Sequence, residues 1–108
     1  MKLLTKALLA SLPKLYSTDG VPLEKQLAVI KFFAPTGRGT WYVFEGGKEG
    51  DDVLFFGYVV SPLGSDDEMG NFVLSELQSV KGRFGLGIER DIHFEPTLMG
   101  EILAKLAA

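Results

Sequence analysis

The sequence predicts an α+β fold: a mainly antiparallel sheet of about five strands with an N-terminal, a short middle and a C-terminal helix. Three observations carry that expectation. Apolar residues recur at helical spacing near the two ends, runs of β-branched and aromatic residues fill the middle, and glycine, proline and acidic turn signals separate those runs. At 108 residues, 46% of them hydrophobic, the chain has the length and composition of one domain, residues 1–108, with one core.

Leu4, Leu8, Leu12 and Leu15 place an amphipathic helix over residues 2–16, with Pro13 ending or bending it. Lys6 interrupts the apolar run and no small-residue cleavage site follows, so this segment reads as a helix of the mature protein rather than a signal peptide. Ser17 to Gly20 reads as a turn, and Pro22 to Lys25 as an irregular approach to the sheet. Residues 27–34 form a first strand, which reverses through Pro35–Gly39 into a second, residues 40–45. An acidic, glycine-containing connection, Glu45 to Asp52, leads to a third strand over 53–61, in which Gly57 marks a bulge or a close backbone approach. Pro62 to Asp67 ends it before a short strand over 69–73.

Ser75-Glu76-Leu77-Gln78 has the form of a capping box, opening a short helix that runs to Lys81 and stops at Gly82. Residues 88–94 alternate as a last strand, and Pro96-Thr97 opens a final helix with a stripe of Leu98, Ile102, Leu103 and Leu106. Helices on one face of a mainly antiparallel sheet are the simplest assembly of these parts.

Composition narrows the function. The absence of cysteine removes disulfides, thiolate nucleophiles, zinc ribbons and iron–sulfur sites, and fits a reducing, cytoplasmic setting. No apolar run approaches the roughly 20 residues that span a bilayer, so no membrane is expected. With 11 basic and 14 acidic residues the net charge of −3 supplies no general attraction for nucleic acid. The acidic stretches Glu45–Asp52 and Ser65–Glu68 read as solvated loop charge. No motif calls for a cofactor. Gly82, Gly85 and Gly87 match neither a dinucleotide fingerprint nor a phosphate loop, and Lys81 to Gly85 has the wrong order for an RNA-recognition motif.

The best chemical candidate lies in residues 88–94. Strand alternation sets Glu89, Asp91 and His93 on one face, a row suited to a divalent metal or to proton transfer by His93. A solvated outer strand face gives the same pattern, and that plainer reading is preferred. Alternation also directs Arg90 among apolar side chains, where a buried pair with Glu45 or Glu76 would satisfy it. The adjacent ring pairs Phe32-Phe33, Trp41-Tyr42 and Phe55-Phe56 must point to opposite faces of the sheet. Helices on one face alone would leave the other as an aromatic surface for a protein partner or a second subunit, with Trp41, Tyr42 and Phe56 as its anchors.

Several segments together carry a family resemblance: Lys31 to Pro35, Thr40 to Val43 with Glu45, Phe55-Phe56-Gly57, Glu68 to Phe72 leading into Leu74 to Leu77, and Gly85 to Asp91. In order and over nearly the whole chain they resemble a family of small bacterial proteins designated domain of unknown function 2958. The resemblance implies a compact α+β domain from a bacterium, often carried on a plasmid, phage or other mobile element. It implies no activity and no catalytic residues, so Glu89, Arg90 and Asp91 are motif positions only. Three readings follow: a non-catalytic accessory protein that occupies a protein partner such as a host-defence component; a metal-dependent or hydrolytic enzyme using Glu89, Asp91 and His93; and a nucleic-acid binder or mimic.

Overall fold

The computed structural model describes residues 2–64, 66–81 and 85–108 and has the α+β architecture. In chain order the elements are α1 (Lys6–Ser11), a 3₁₀ turn (Leu23–Lys25), β1 (Leu27–Ala28), β2 (Ile30–Phe33), β3 (Thr40–Glu49), β4 (Asp52–Val60), β5 (Glu68–Val73), α2 (Leu74–Ser79), β6 (Glu89–Arg90), β7 (Thr97–Leu98) and α3 (Met99–Ala107). One antiparallel sheet has the order β5-β4-β3-β2-β6, and β1 pairs separately with β7.

The first helix is shorter than its leucine spacing predicts. Thr5 caps it, its hydroxyl accepting from the Leu8 amide at 3.1 Å, and Leu12 is already extended because Pro13 follows. Leu3 and Leu4 are buried outside the helix. The strand expected over 27–34 breaks at Val29, whose amide donates to Val43 O at 2.8 Å. Its first half turns to β7 and its second to β3 and β6.

The expected acidic connection is largely strand. β3 runs on to Glu49 and reverses through Gly50 and Asp51 alone, Gly50 taking φ +62°. Register shifts by one between Val43 and Glu45, so Phe44 is an extra residue between the pairs Val43–Gly57 and Glu45–Phe56. A Cβ on Gly57 would stand 1.7 Å from Tyr42 O, so of the two readings of Gly57 the close approach holds, and the bulge lies in the facing strand.

α2 opens one residue before Ser75. Val73 is its N-cap and Glu76 Oε1 accepts the Val73 amide at 3.3 Å, so Glu76 does the work expected of Gln78. Ser75 instead donates to Asp52, whose two oxygens take its hydroxyl at 2.5 Å and its amide at 3.1 Å. α2 ends at Ser79; Gly82, expected to stop it, lies outside the described residues with Arg83, Phe84 and Ser65. The last helix starts at Met99 because Thr97 and Leu98 are spent in β7, and it buries Met99 and Ile102 while Leu98 and Leu106 of the expected stripe stay exposed.

Both faces of the sheet carry a core. Phe32, Trp41, Val43, Phe55 and Phe72 meet Leu3, Leu4, Leu12 and Leu77 on the first face. Tyr42, Phe44 and Val60 meet Met99, Ile102 and Leu23 on the second. The expectation of helices on one face only is thereby corrected: the N-terminal segment and α2 cover one side, and α3 with the 3₁₀ turn covers part of the other.

Candidate functional site: the open half of the second face

Cover on the second face is incomplete, and the strand register says where. β4 and β5 pair Leu54 with Val73, Phe56 with Asn71 and Tyr58 with Met69, and directly opposed residues share a face. Leu54, Phe56, Tyr58 and Val73 are half-buried and Met69 is 42% exposed, whereas Tyr42 and Phe44, one strand inward on the same face, are at 5% and 1%. Phe44 and Phe56 touch edge to face with centroids 5.9 Å apart, so the boundary between covered and open falls between two neighbouring rings. Five apolar side chains and Asn71 thus form a ladder that runs to the free edge of β5, the last strand of the sheet among the described residues.

One rim of that ladder is polar and fixed. Arg38 grips Asp67 through two bonds, Nη1 to Oδ1 at 3.0 Å and Nη2 to Oδ2 at 2.5 Å, while Nη1 also donates to Ser61 O at 2.6 Å. The hydrogen bonds from Arg38 hold the Asp67 carboxyl below its ordinary range, and the same bonds raise the already high Arg38 value. Tyr58 stands beside the pair: burial pushes its phenol up, Asp67 adds to that shift and Arg38 opposes it.

The residues singled out from sequence fall in three different places. Phe56 is in the open ladder. Trp41, at 7% exposure, lies in the first-face core, and Tyr42 lies under Phe94 on the second, ring centroids 6.1 Å apart. The exposure expected of those two rings is corrected, because the N-terminal segment covers the face of Trp41 and α3 covers the face of Tyr42.

Glu89, Asp91 and His93 do not form a row. β6 stops at Arg90 because Asp91 Oδ1 accepts the His93 amide at 3.0 Å and Asp91 O accepts the Phe94 amide at 3.2 Å, turning the chain and leaving Ile92 61% exposed. Glu89 faces a groove lined by Lys2, Gln78 and Lys81, whereas Asp91 and His93 line a separate cleft of about 470 Å³ with Lys31, Tyr42 and Lys105. Lys31 Nζ stands 4.0 Å from Asp91 there, and burial followed by the Asp91 charge raises the Tyr42 phenol. Among the described residues no three acidic or histidine side chains gather to hold a metal ion. The single strand-face row expected from alternation is therefore corrected.

Arg90 meets no carboxylate among the described residues. It is half-buried, and Nη1 donates to the carbonyls of Lys2 at 3.2 Å and Leu3 at 2.9 Å, pinning the N-terminal segment to the sheet. Glu45, read from sequence as solvated loop charge or as a buried partner of Arg90, is 2% exposed. Its Oε1 accepts the Tyr16 amide at 2.6 Å, its Oε2 the Thr18 amide at 2.9 Å, and the Thr18 hydroxyl completes the set. These bonds hold Tyr16 at φ +68° and fold the 13–18 segment against β3, where Gly46 donates to Pro13 O.

Sequence reasoning missed Leu54, Met69 and Val73 as members of the surface. The signal was present, since positions 54, 56 and 58 share a strand face with Phe56, but the partners across β5 needed a register that alternation alone does not set.

The family model described as "Protein of unknown function (DUF2958)" matches residues 3–108. No curated protein and no solved structure matches the chain. With a match over nearly its whole length, the chain belongs to the DUF2958 family.

Proposed function

We propose that this member of the family is a non-catalytic protein-binding module that occupies a protein partner through the β4–β5 half of its second sheet face. The bacterial, mobile-element setting implied by the sequence resemblance, and the cytoplasmic setting that fits a cysteine-free chain, suit an accessory protein with a host-defence component as target. One observation carries the reading: Leu54, Phe56, Tyr58 and Val73 are only half-buried and Met69 is 42% exposed, side by side, while Tyr42 and Phe44 one strand inward on the same face are buried. A contiguous apolar patch with aromatic members and a fixed polar rim has the anatomy of an interface centre and edge. No helix among the described residues is long and apolar enough to cross a membrane, so the patch has no use as part of such a helix.

The test is recovery of the tagged protein from lysate of its own host with two variants beside it. Phe56→Ala removes the central ring of the ladder, and Ile92→Ala removes an equally apolar but distant exposed side chain. The expected result is one co-purifying protein retained by Ile92→Ala and lost with Phe56→Ala, both variants keeping cooperative thermal unfolding. A partner retained by Phe56→Ala, or none with the unaltered chain, overturns the proposal.

A further inference from the structure

β5 has an outer side, and the hydrogen-bonding pattern of the sheet shows which groups occupy it. The two-residue turn makes Glu49 and Asp52 the closing pair of the β3–β4 hairpin, so Asp52, Leu54, Phe56 and Tyr58 direct their backbone groups to β3. Val59, Gly57 and Phe55 then direct theirs to Glu68, Gly70 and Phe72. Met69, Asn71 and Val73 are left pointing outward, and the Val73 amide is taken by Glu76. No described segment pairs with Met69 or Asn71 on that side.

Gly70 lies between them and has no visible reason inside the chain to be glycine. Its φ is not in the left-handed region, and a Cβ there would meet nothing within 4 Å. Glycine within a strand often marks close approach by another backbone. The edge also lacks the usual guards: β5 holds no lysine, proline or bulge, and its one charge is Glu68 at the strand end.

We infer that β5 pairs antiparallel with β5 of a second copy of this chain, with the two Gly70 residues facing each other on a two-fold axis, giving one ten-stranded sheet. In that register Met69 of each chain meets Asn71 of the other as a hydrogen-bonded pair, so the free groups of both residues are consumed. The axis stands perpendicular to the sheet and keeps faces together, so the two open ladders become one continuous surface. No acidic side chain opposes another: Glu68 falls across from Phe72 and Asp67 from Val73. This self-complementarity selects a second copy over a foreign strand, which would have to supply each of these matches separately. The inference stands apart from the partner reading, since a monomer that still captures its partner overturns this one alone.

The experiment measures mass in solution by light scattering across a dilution series. The unaltered chain is expected at twice its 11.8 kDa, dissociating on dilution. Gly70→Lys and Gly70→Glu, which place like charges face to face on the axis but have open space within one chain, are each expected at 11.8 kDa, and their equimolar mixture is expected to recover the double mass. The single mass throughout for the unaltered chain, or a double mass that Gly70→Lys retains, overturns the inference. Should both charged variants fail to fold, Gly70→Cys decides in this cysteine-free chain. Mild oxidation is expected to link two copies through position 70 at least tenfold faster than through the exposed control Ser17→Cys, and equal rates overturn the inference.

Discussion

Phe44 and Phe56 are the same residue type on the same sheet face, 5.9 Å apart, yet they belong to different regions. Phe44 sits where β3 passes beneath α3 and the 3₁₀ turn, in a half of the sheet closed on both faces and braced at its edge by the 13–18 segment. Phe56 sits one strand outward, at the border of that core, and is only half-buried. The closed half spends its apolar residues on stability. The open half keeps apolar surface that the fold does not use, and such surface is available to a partner.

The largest effect is expected at the hinge between the two halves. Gly57→Ala drives a Cβ into the Tyr42 carbonyl opposite the bulge, so the β3–β4 register must give way, at a cost of more than about 4 kcal/mol seen as a fall in the urea midpoint. A smaller and more discriminating comparison deletes the two rings in turn. Phe44→Ala empties a buried site and is expected to cost about 3–4 kcal/mol, whereas Phe56→Ala is expected to cost about 1–2 kcal/mol. Equal losses would erase the distinction between a closed and an open half.

The smallest effect belongs to the polar rim. Because Arg38 lowers the Asp67 value in the folded chain, the pair stabilises above the ordinary carboxylate value of 3.8, and that contribution is lost as pH falls through the lowered value. The difference in Tm between the unaltered chain and Asp67→Asn is therefore expected at neutral pH and should close in strong acid. A gap that persists in strong acid would mean that Asp67 acts by shape rather than charge.

Much of the framework was legible in the sequence because its signals are local. The hairpin of β2 and β3, the opposed rings of Trp41 and Tyr42, and the need for glycine at 57 follow from alternation, turn chemistry and backbone clearance, and the structure has all three. What was not legible depends on partners distant in the chain. Glu45 reads as loop charge until the amides of Tyr16 and Thr18 fold over it, and Arg90 reads as half of an ion pair until the Lys2 and Leu3 carbonyls reach it. The row of Glu89, Asp91 and His93 failed for a local reason instead. The Asp91 side chain captures the His93 amide, and such aspartate turns compete with strand continuation wherever no neighbouring strand claims the amide first. The open ladder was half legible: Phe56 was visible, but its neighbours became so only with the β4–β5 register.

The contact between Arg90 and the first residues has a consequence for how the molecule is made. Leu3 and Leu4 belong to the first-face core, yet the guanidinium that holds their segment lies 87 residues downstream of Leu3. On a ribosome those leucines emerge well before Arg90, and the chain must grow 87 residues past Leu3 before the group that pins them exists. During that interval the newly made segment is exposed apolar chain, and the last strand of the sheet closes the core over it.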